Sequence, residues 1–330
     1  MKMSLVGLCA AALLVSNASA ETINVKAWGI TWEQGLQEIA DAFTKETGIK
    51  VNPIPQTSST EGLVQISQNR ANPNVDVWFT TSSVAARAQN DTELFAKIDL
   101  DALTNKDDII SSGISENWVG AYYYPLNVVY RGDAVDAPIT KWEDLWNEGY
   151  KNNIAAPAFE MYQGRLLVLA SVLNGGDITN IDPGFDALKR LAPNVSVWFP
   201  SDSDARKAIA TGEVDILVAT PVFKEALAED VDNLQMVIPA PTPITYDVMM
   251  LVNTPKKDSA TKFIDYVLNK DAQEKLAAGH FSVPVNRKAQ APEEISGLMP
   301  AEDQLISIDE VILNEHADEW SRRFHSEIAK

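Results

Sequence analysis

The feature that most restricts this chain is a repeated beat: a short apolar strand, a turn, an amphipathic helix, then another strand. "INVKAW" (Ile23–Trp28) alternates as a half-buried strand does. The helix expected from about Glu33 sets Leu36, Ile39, Ala40 and Phe43 on one face and stops at Gly48. "IKVNPIP" reads as a second strand, "EGLVQISQNRA" as a second helix and "VDVWFT" (Val75–Thr80) as a buried strand opening into "SSVAARAQ". The middle keeps the same beat, with a strand at Asn153–Ala156, the apolar helix "GRLLVLASVLNGG", "FDALKRLAPNVSVWF", and a capped helix leading into the strand Val214–Ala219. "LQMVIPAPTPITYDVMMLVN" supplies two extended runs about a proline-rich turn, and "DSATKFIDYVLNKDAQEKLAA" reads as one long helix. Strands joined through helices pair side by side in sheets covered by those helices, so the fold class is α/β.

Length suggests two such units. Two extended segments, near Tyr124–Val129 and near Pro239–Asp247, are candidate crossings between them. Open α/β sheets take ligands beyond the carboxyl ends of their strands, so two units facing each other make a cleft that can close on extended hinges.

Residues 1–20 stand apart from this beat. Lys2, the apolar run Leu5–Val15 and Ala18-Ser19-Ala20 form a secretory leader, expected to be removed after Ala20 on export to the periplasm. Cys9, the single cysteine, lies inside it after Leu8, so lipidation is not expected and the mature chain has no thiol. The formal charge is −19, and the leader holds one lysine and no acid, so the remainder carries −20. That charge makes nucleic acid and anionic membrane poor partners, and it serves solubility without requiring a cationic ligand.

Taken in order, "FTKETGIKV", "VDVWFTTSS", "AKIDLDAL", "RGDAVDAPITKWEDLWNEGYKNNI", "LKRLAPNV", "GEVDILVAT" and "ATKFIDYVLNKDAQEKLA" resemble the periplasmic substrate-binding proteins of ABC importers. Within these the chain is most similar to the spermidine/putrescine-binding branch. The resemblance implies a two-lobed periplasmic-binding fold of type II. One lobe would hold residues 21–127 plus 247–290, and the other 128–246 plus 291–330. It also implies a monomer without cofactor or metal that carries a small molecule to an ABC permease in the inner membrane. The polyamine branch grips a dication with aromatic rings and carboxylates, because buried ammonium groups need paired charge and methylenes pack on π faces. Trp28, Trp32 and Asp247 match that pattern, whereas Thr220 replaces a tryptophan, Phe159 and Glu160 stand where two acids are usual, and Ser83 and Ser282 replace tyrosines. These departures favour a smaller or less charged solute.

The candidate ligand-binding residues carry alternatives. Trp28 is set to stack on a ligand or to fill core. Trp32 is set for the cleft or for a hydrophobic staple near Leu36. Thr81, Ser82 and Ser83 open a helix and can cap it, hold a polar ligand group, or both. In "AYYYPLN" alternate side chains take opposite faces, and Tyr124 is chosen for the cleft. Phe159 is an apolar wall, Glu160 an amine partner or surface charge, and Tyr162 and Arg165 approach the same helix end. Tyr246 and Asp247 lie in the second crossing, with Asp247 the strongest polar candidate.

No adjacent tyrosine pair stands in "ATPVFKEAL", where related ferric-ion sites have one, and none of the three histidines has a carboxylate at the i+4 helical ligand spacing. HExxH, GxSxG, GxGxxG and P-loop patterns are missing from the sequence. The expected function is solute capture by hinge closure, not catalysis, with a small amine or zwitterion first. A compact anion such as a phosphonate or carboxylate follows, then a polyamine and iron. A chemosensory partner would use the same cleft.

Overall fold

A computed structural model describes residues 21–329, so the expected leader and its cleavage site lie outside the described residues. Twelve strands build two sheets. The first contains β1 (Thr22–Trp28), β2 (Lys50–Gln56), β3 (Val77–Thr81), β4 (Phe95–Ala96), β5 (Val119–Pro125), β11 (Thr242–Val252) and β12 (Leu305–Ser307). The second runs in the order β10 (Leu234–Val237), β6 (Asn127–Arg131), β9 (Ile216–Ala219), β7 (Ile154–Pro157), β8 (Val195–Phe199). β1 pairs in parallel with both β2 and β3, and β7 pairs in parallel with β8 and β9, as the strand–helix beat requires. β11 is the long antiparallel strand that closes the first sheet against β3 and β5.

Each sheet has its own apolar core. Ile23, Val25, Phe43, Val77, Phe79 and Phe263 belong to the first, and Val128, Ile154, Leu167, Phe185 and Val218 to the second. The chain crosses between the sheets at Leu126, again between β10 and β11, and a third time between β12 and the C-terminal helix Glu310–Glu327. That helix sets Leu313, Trp320 and Phe324 into the second core, and Ile328 just past its end joins them. Leu126 donates its N–H to the Pro243 carbonyl (2.9 Å), and the Thr242 hydroxyl donates to the Leu126 carbonyl (2.6 Å), so the first two crossings run joined.

Residues 242–246 and 305–307 therefore pair in the first sheet, whereas the sequence reading placed a break at 246/247 and gave 291–330 to the second lobe. Two helix readings also shift. The helix expected from Glu33 begins at Gln37, after a wide turn over Trp32–Leu36 in which Gly35 takes φ 121°. The long helix from Asp258 is two helices, Lys257–Val267 and Lys270–His280, because the Asn269 side chain caps the second by accepting from the Ala272 N–H.

Candidate functional site

The carboxyl ends of β1, β7, β8 and β9 all open toward one cleft between the sheets, of about 820 Å³. The first lobe contributes Ile30, Gln34, Tyr124, Asp247 and the segment Ala278–Phe281, and the second contributes Tyr162, Asp202, Arg206, Thr220 and Glu225. A separate hollow of about 640 Å³ is lined by Glu38, Phe43, Lys262, Asp265 and Lys275, all from one lobe and away from the strand ends. The interlobe cleft is the candidate site.

Its floor is set by strand register. In the β5/β11 pair, Tyr122 stands opposite Asp247 and Tyr124 opposite Thr245, so these four share a face. Asp247 also stands opposite Thr81 of β3. Burial pushes the Asp247 pKa up to about 7, and the approaching Tyr122 hydroxyl and then Arg165 offset part of that rise. The carboxyl keeps a partial opening to the cleft, yet it lies deep enough that protein replaces most of its water. Behind it, the Tyr122 ring stacks on His280 at 4.5 Å and meets Tyr124 edge-on at 5.7 Å. Burial pushes His280 down to about 4, so its ring is neutral at neutral pH.

The second wall holds Tyr162 beside Thr220, with burial pushing the phenol pKa up. Asp202 and Arg206 stand one turn apart on the helix Asp202–Ala210; burial raises the Asp202 carboxyl and Arg206 offsets it. Four carboxylates (Asp202, Glu225, Asp247 and Glu294) and the Arg206 guanidinium line the cleft. The cleft is acidic, with aromatic faces at Tyr124, Tyr162 and Phe281.

Of the twelve residues singled out from sequence, Tyr124, Tyr162, Thr220 and Asp247 line this cleft, and Thr81 adjoins Asp247 in the sheet. The other seven lie away from it. Tyr246 points to the opposite face, as a neighbour of Asp247 on a strand must; its hydroxyl meets Ser112 at 2.7 Å and its ring packs between Tyr123 and Trp118. Trp32 is buried in the first core and Trp28 packs half-buried against it, because the chain turns at Gly29 and presents Ile30 to the cleft instead. Ser82 donates to Glu310 (2.6 Å), and Ser83 lines a small hollow of about 200 Å³ against the C-terminal helix. Phe159 and Glu160 line that same hollow, where Glu160 accepts from Ser321 and lies 3.0 Å from His325.

Sequence reasoning missed Ile30, Asp202, Arg206, Glu225 and the turn at His280. The usable signal was position: Ile30 and Asp202 follow directly on the carboxyl ends of β1 and β8.

The profile of the family described as bacterial extracellular solute-binding proteins matches residues 38–301. The chain belongs to that family. It is 26% identical over 284 residues to the spermidine/putrescine-binding periplasmic protein 1 of Haemophilus influenzae, a match covering 81% of this chain and 77% of the relative. It is 26% identical over 270 residues to a putative 2-aminoethylphosphonate-binding periplasmic protein of Salmonella paratyphi A, covering 77% and 75%. Among solved structures, an ABC transporter protein from Clostridium perfringens superposes with a TM-score of 0.81 at 24% identity, covering 93% of this chain and 99% of the other. This is a periplasmic solute-binding protein of the ABC type, a transport component and not an enzyme. Such proteins bind small ligands and a membrane permease. Among the described residues, no helix is long and apolar enough to cross a membrane.

Proposed function

We propose that this protein captures a small organic amine or zwitterion in the interlobe cleft and delivers it to an ABC permease of the inner membrane. The observation that supports the reading is Asp247: a carboxyl deep in the cleft, raised to about 7 by burial and backed by phenol rings. A buried carboxylate in that state gains most from a cation that enters and pairs with it. Tyr124 and Tyr162 supply faces for the ligand's carbon skeleton, and Asp202 with Arg206 supplies a polar pair on the opposite wall. A zwitterion would place its ammonium at Asp247 and its acid group toward Arg206. The 2-aminoethylphosphonate-binding relative is named for a solute of that charge pattern.

A purely anionic solute is disfavoured by the excess of carboxylates. A polyamine remains the second reading, because Asp247 on one wall and Asp202 with Glu225 on the other offer acids to both ends of a dication. The lobes are assigned as 21–125 with 242–307, and 127–237 with 310–329, closing about the three crossings as a monomer.

A thermal-shift screen tests the reading with monoamines, amino acids, 2-aminoethylphosphonate, alkylphosphonates and putrescine. A ligand at about a thousandfold its Kd stabilises the fold by roughly 4 kcal/mol. Amine-bearing compounds should raise Tm, and alkylphosphonates lacking nitrogen should not. A Tm rise confined to the nitrogen-free anions would overturn the proposal.

A further inference from the structure

Beyond the cleft, a second polar cluster lies where the lobes join. Arg165 opens the helix Arg165–Leu173 in the second lobe and is 1% exposed. Its guanidinium donates to the Tyr162 carbonyl (3.2 Å), to Gln163 Oε1 (3.1 Å) and to Glu310, and reaches the Ile244 carbonyl of β11 at 3.4 Å. Glu310 begins the C-terminal helix immediately after the third crossing. The same Glu310 oxygen accepts from the Ser82 hydroxyl at the end of β3, in the first lobe. One helical turn on, Asn314 donates to the Ser83 carbonyl at 2.9 Å. Arg165 and Glu310 are thus fixed in one lobe, while Ile244, Ser82 and Ser83 belong to the other.

The cluster also touches the cleft wall. Tyr162, Gln163 and Gly164 take φ values of 56°, 52° and 72° in succession. Two non-glycine residues in the left-handed region need outside restraint. Arg165 provides it by holding the carbonyl of Tyr162 and the side chain of Gln163. Tyr162 faces the cleft, and Gln163 faces the hollow beside the C-terminal helix. One strained turn therefore joins the solute side to the hinge side.

We propose that Ser82, Arg165 and Glu310 form a hinge clamp that sets the resting separation of the two lobes and, through it, the affinity of the cleft. The effect on affinity rests on the cleft being the binding site; the effect on lobe separation does not. Buried charged pairs hold one geometry firmly because each alternative leaves a charge without a partner. A shift of the resting population toward or away from the ligand-competent form changes apparent affinity without touching the ligand.

The test uses the exported protein with one spin label on each lobe's outer surface, and the interlobe distance distribution is measured without solute. Ser82→Ala removes the side-chain contact that ties Glu310 to the first lobe, leaving the weaker Arg165–Ile244 and Asn314–Ser83 contacts and keeping the Arg165–Glu310 pair intact within its own lobe. Its distribution should broaden and its mean should shift while the thermal melt stays close to wild type. Glu310→Gln is the second variant, with the same expected change in distances. Distributions that coincide with wild type in both folded variants would overturn the clamp. Because no solute is present, that result is independent of whether an amine binds. With a solute from the screen, both variants should change Kd while keeping the wild-type pH profile; an unchanged Kd alongside altered distances would sever lobe separation from affinity and overturn that part.

Discussion

Replacing Asp247 by asparagine isolates the charge on which the binding proposal turns. The carboxyl titrates at about 7 in the folded protein against an ordinary value of 3.8, chiefly through burial. That interval corresponds to roughly 4 kcal/mol at about 1.36 kcal/mol per pH unit, an upper bound because the group keeps an opening to the cleft. Between pH 4 and 7 the folded chain holds a proton that the unfolded chain has released. The corresponding stability is therefore fully present below the unfolded pKa and is lost as pH rises through about 7. Asparagine cannot ionise, so the stability of Asp247→Asn relative to wild type should grow from pH 4 to pH 8. For a chain of this size the full effect moves Tm by roughly 6 °C.

The same proton controls capture. An ammonium ligand favours the ionised carboxyl, so wild-type affinity should rise nearly tenfold per pH unit from pH 5 toward 7 and level off above it. Calorimetric titration at several pH values reads the affinity, and repeating it in buffers of different ionisation heat reads the proton released on binding. Asp247→Asn should bind more weakly at pH 8 and show a flat profile. A variant that keeps the wild-type pH slope, or a wild-type affinity constant from pH 5 to 7, would refute the assignment of Asp247 as the ammonium partner.

Three further substitutions separate framework from site. Trp32→Ala should cost about 3–5 kcal/mol of stability by emptying core, with the number and affinity of sites per folded molecule unchanged in a titration. Tyr246→Phe removes the hydroxyl that meets Ser112 and should cost about 1 kcal/mol by denaturant melt, leaving solute affinity at the wild-type value. Gly279→Ala drives a Cβ into the Gln34 carbonyl, on two segments that both line the cleft, so Tm and solute affinity should fall together; a change in neither would show that those segments yield freely.

What the sequence revealed and what it concealed divide along a physical line. Period and punctuation were legible: β1, β3 and the helix Arg165–Leu173 fall where alternation, apolar runs and glycines put them. Direction was not. Once a strand ends, a few dihedral angles decide which side chain faces out, and the turn at Gly29 gives that place to Ile30 between two tryptophans that stay with the core. Asp202 and Arg206, spaced four apart at a helix start, look in sequence like an ordinary surface ion pair; only the placement of β8 beside β7 brings them to the cleft.

The pair Tyr246 and Asp247 shows how such a direction is finally chosen. Alternation along β11 allows one of them to face the cleft, and sequence alone left both as candidates. The decision comes from the far side of the sheet, where Tyr246 finds Tyr123 at 5.7 Å, Trp118 at 5.9 Å and a hydroxyl partner in Ser112. An aromatic ring gains from that packing, and its hydroxyl is satisfied there. Turning β11 over would expose that ring to the cleft and bury the Asp247 carboxyl in apolar surroundings without a partner, a far costlier arrangement than the present one. The apolar preference of the back face thus fixes the phase of the strand, and the phase places a carboxyl of raised pKa on the floor of the cleft.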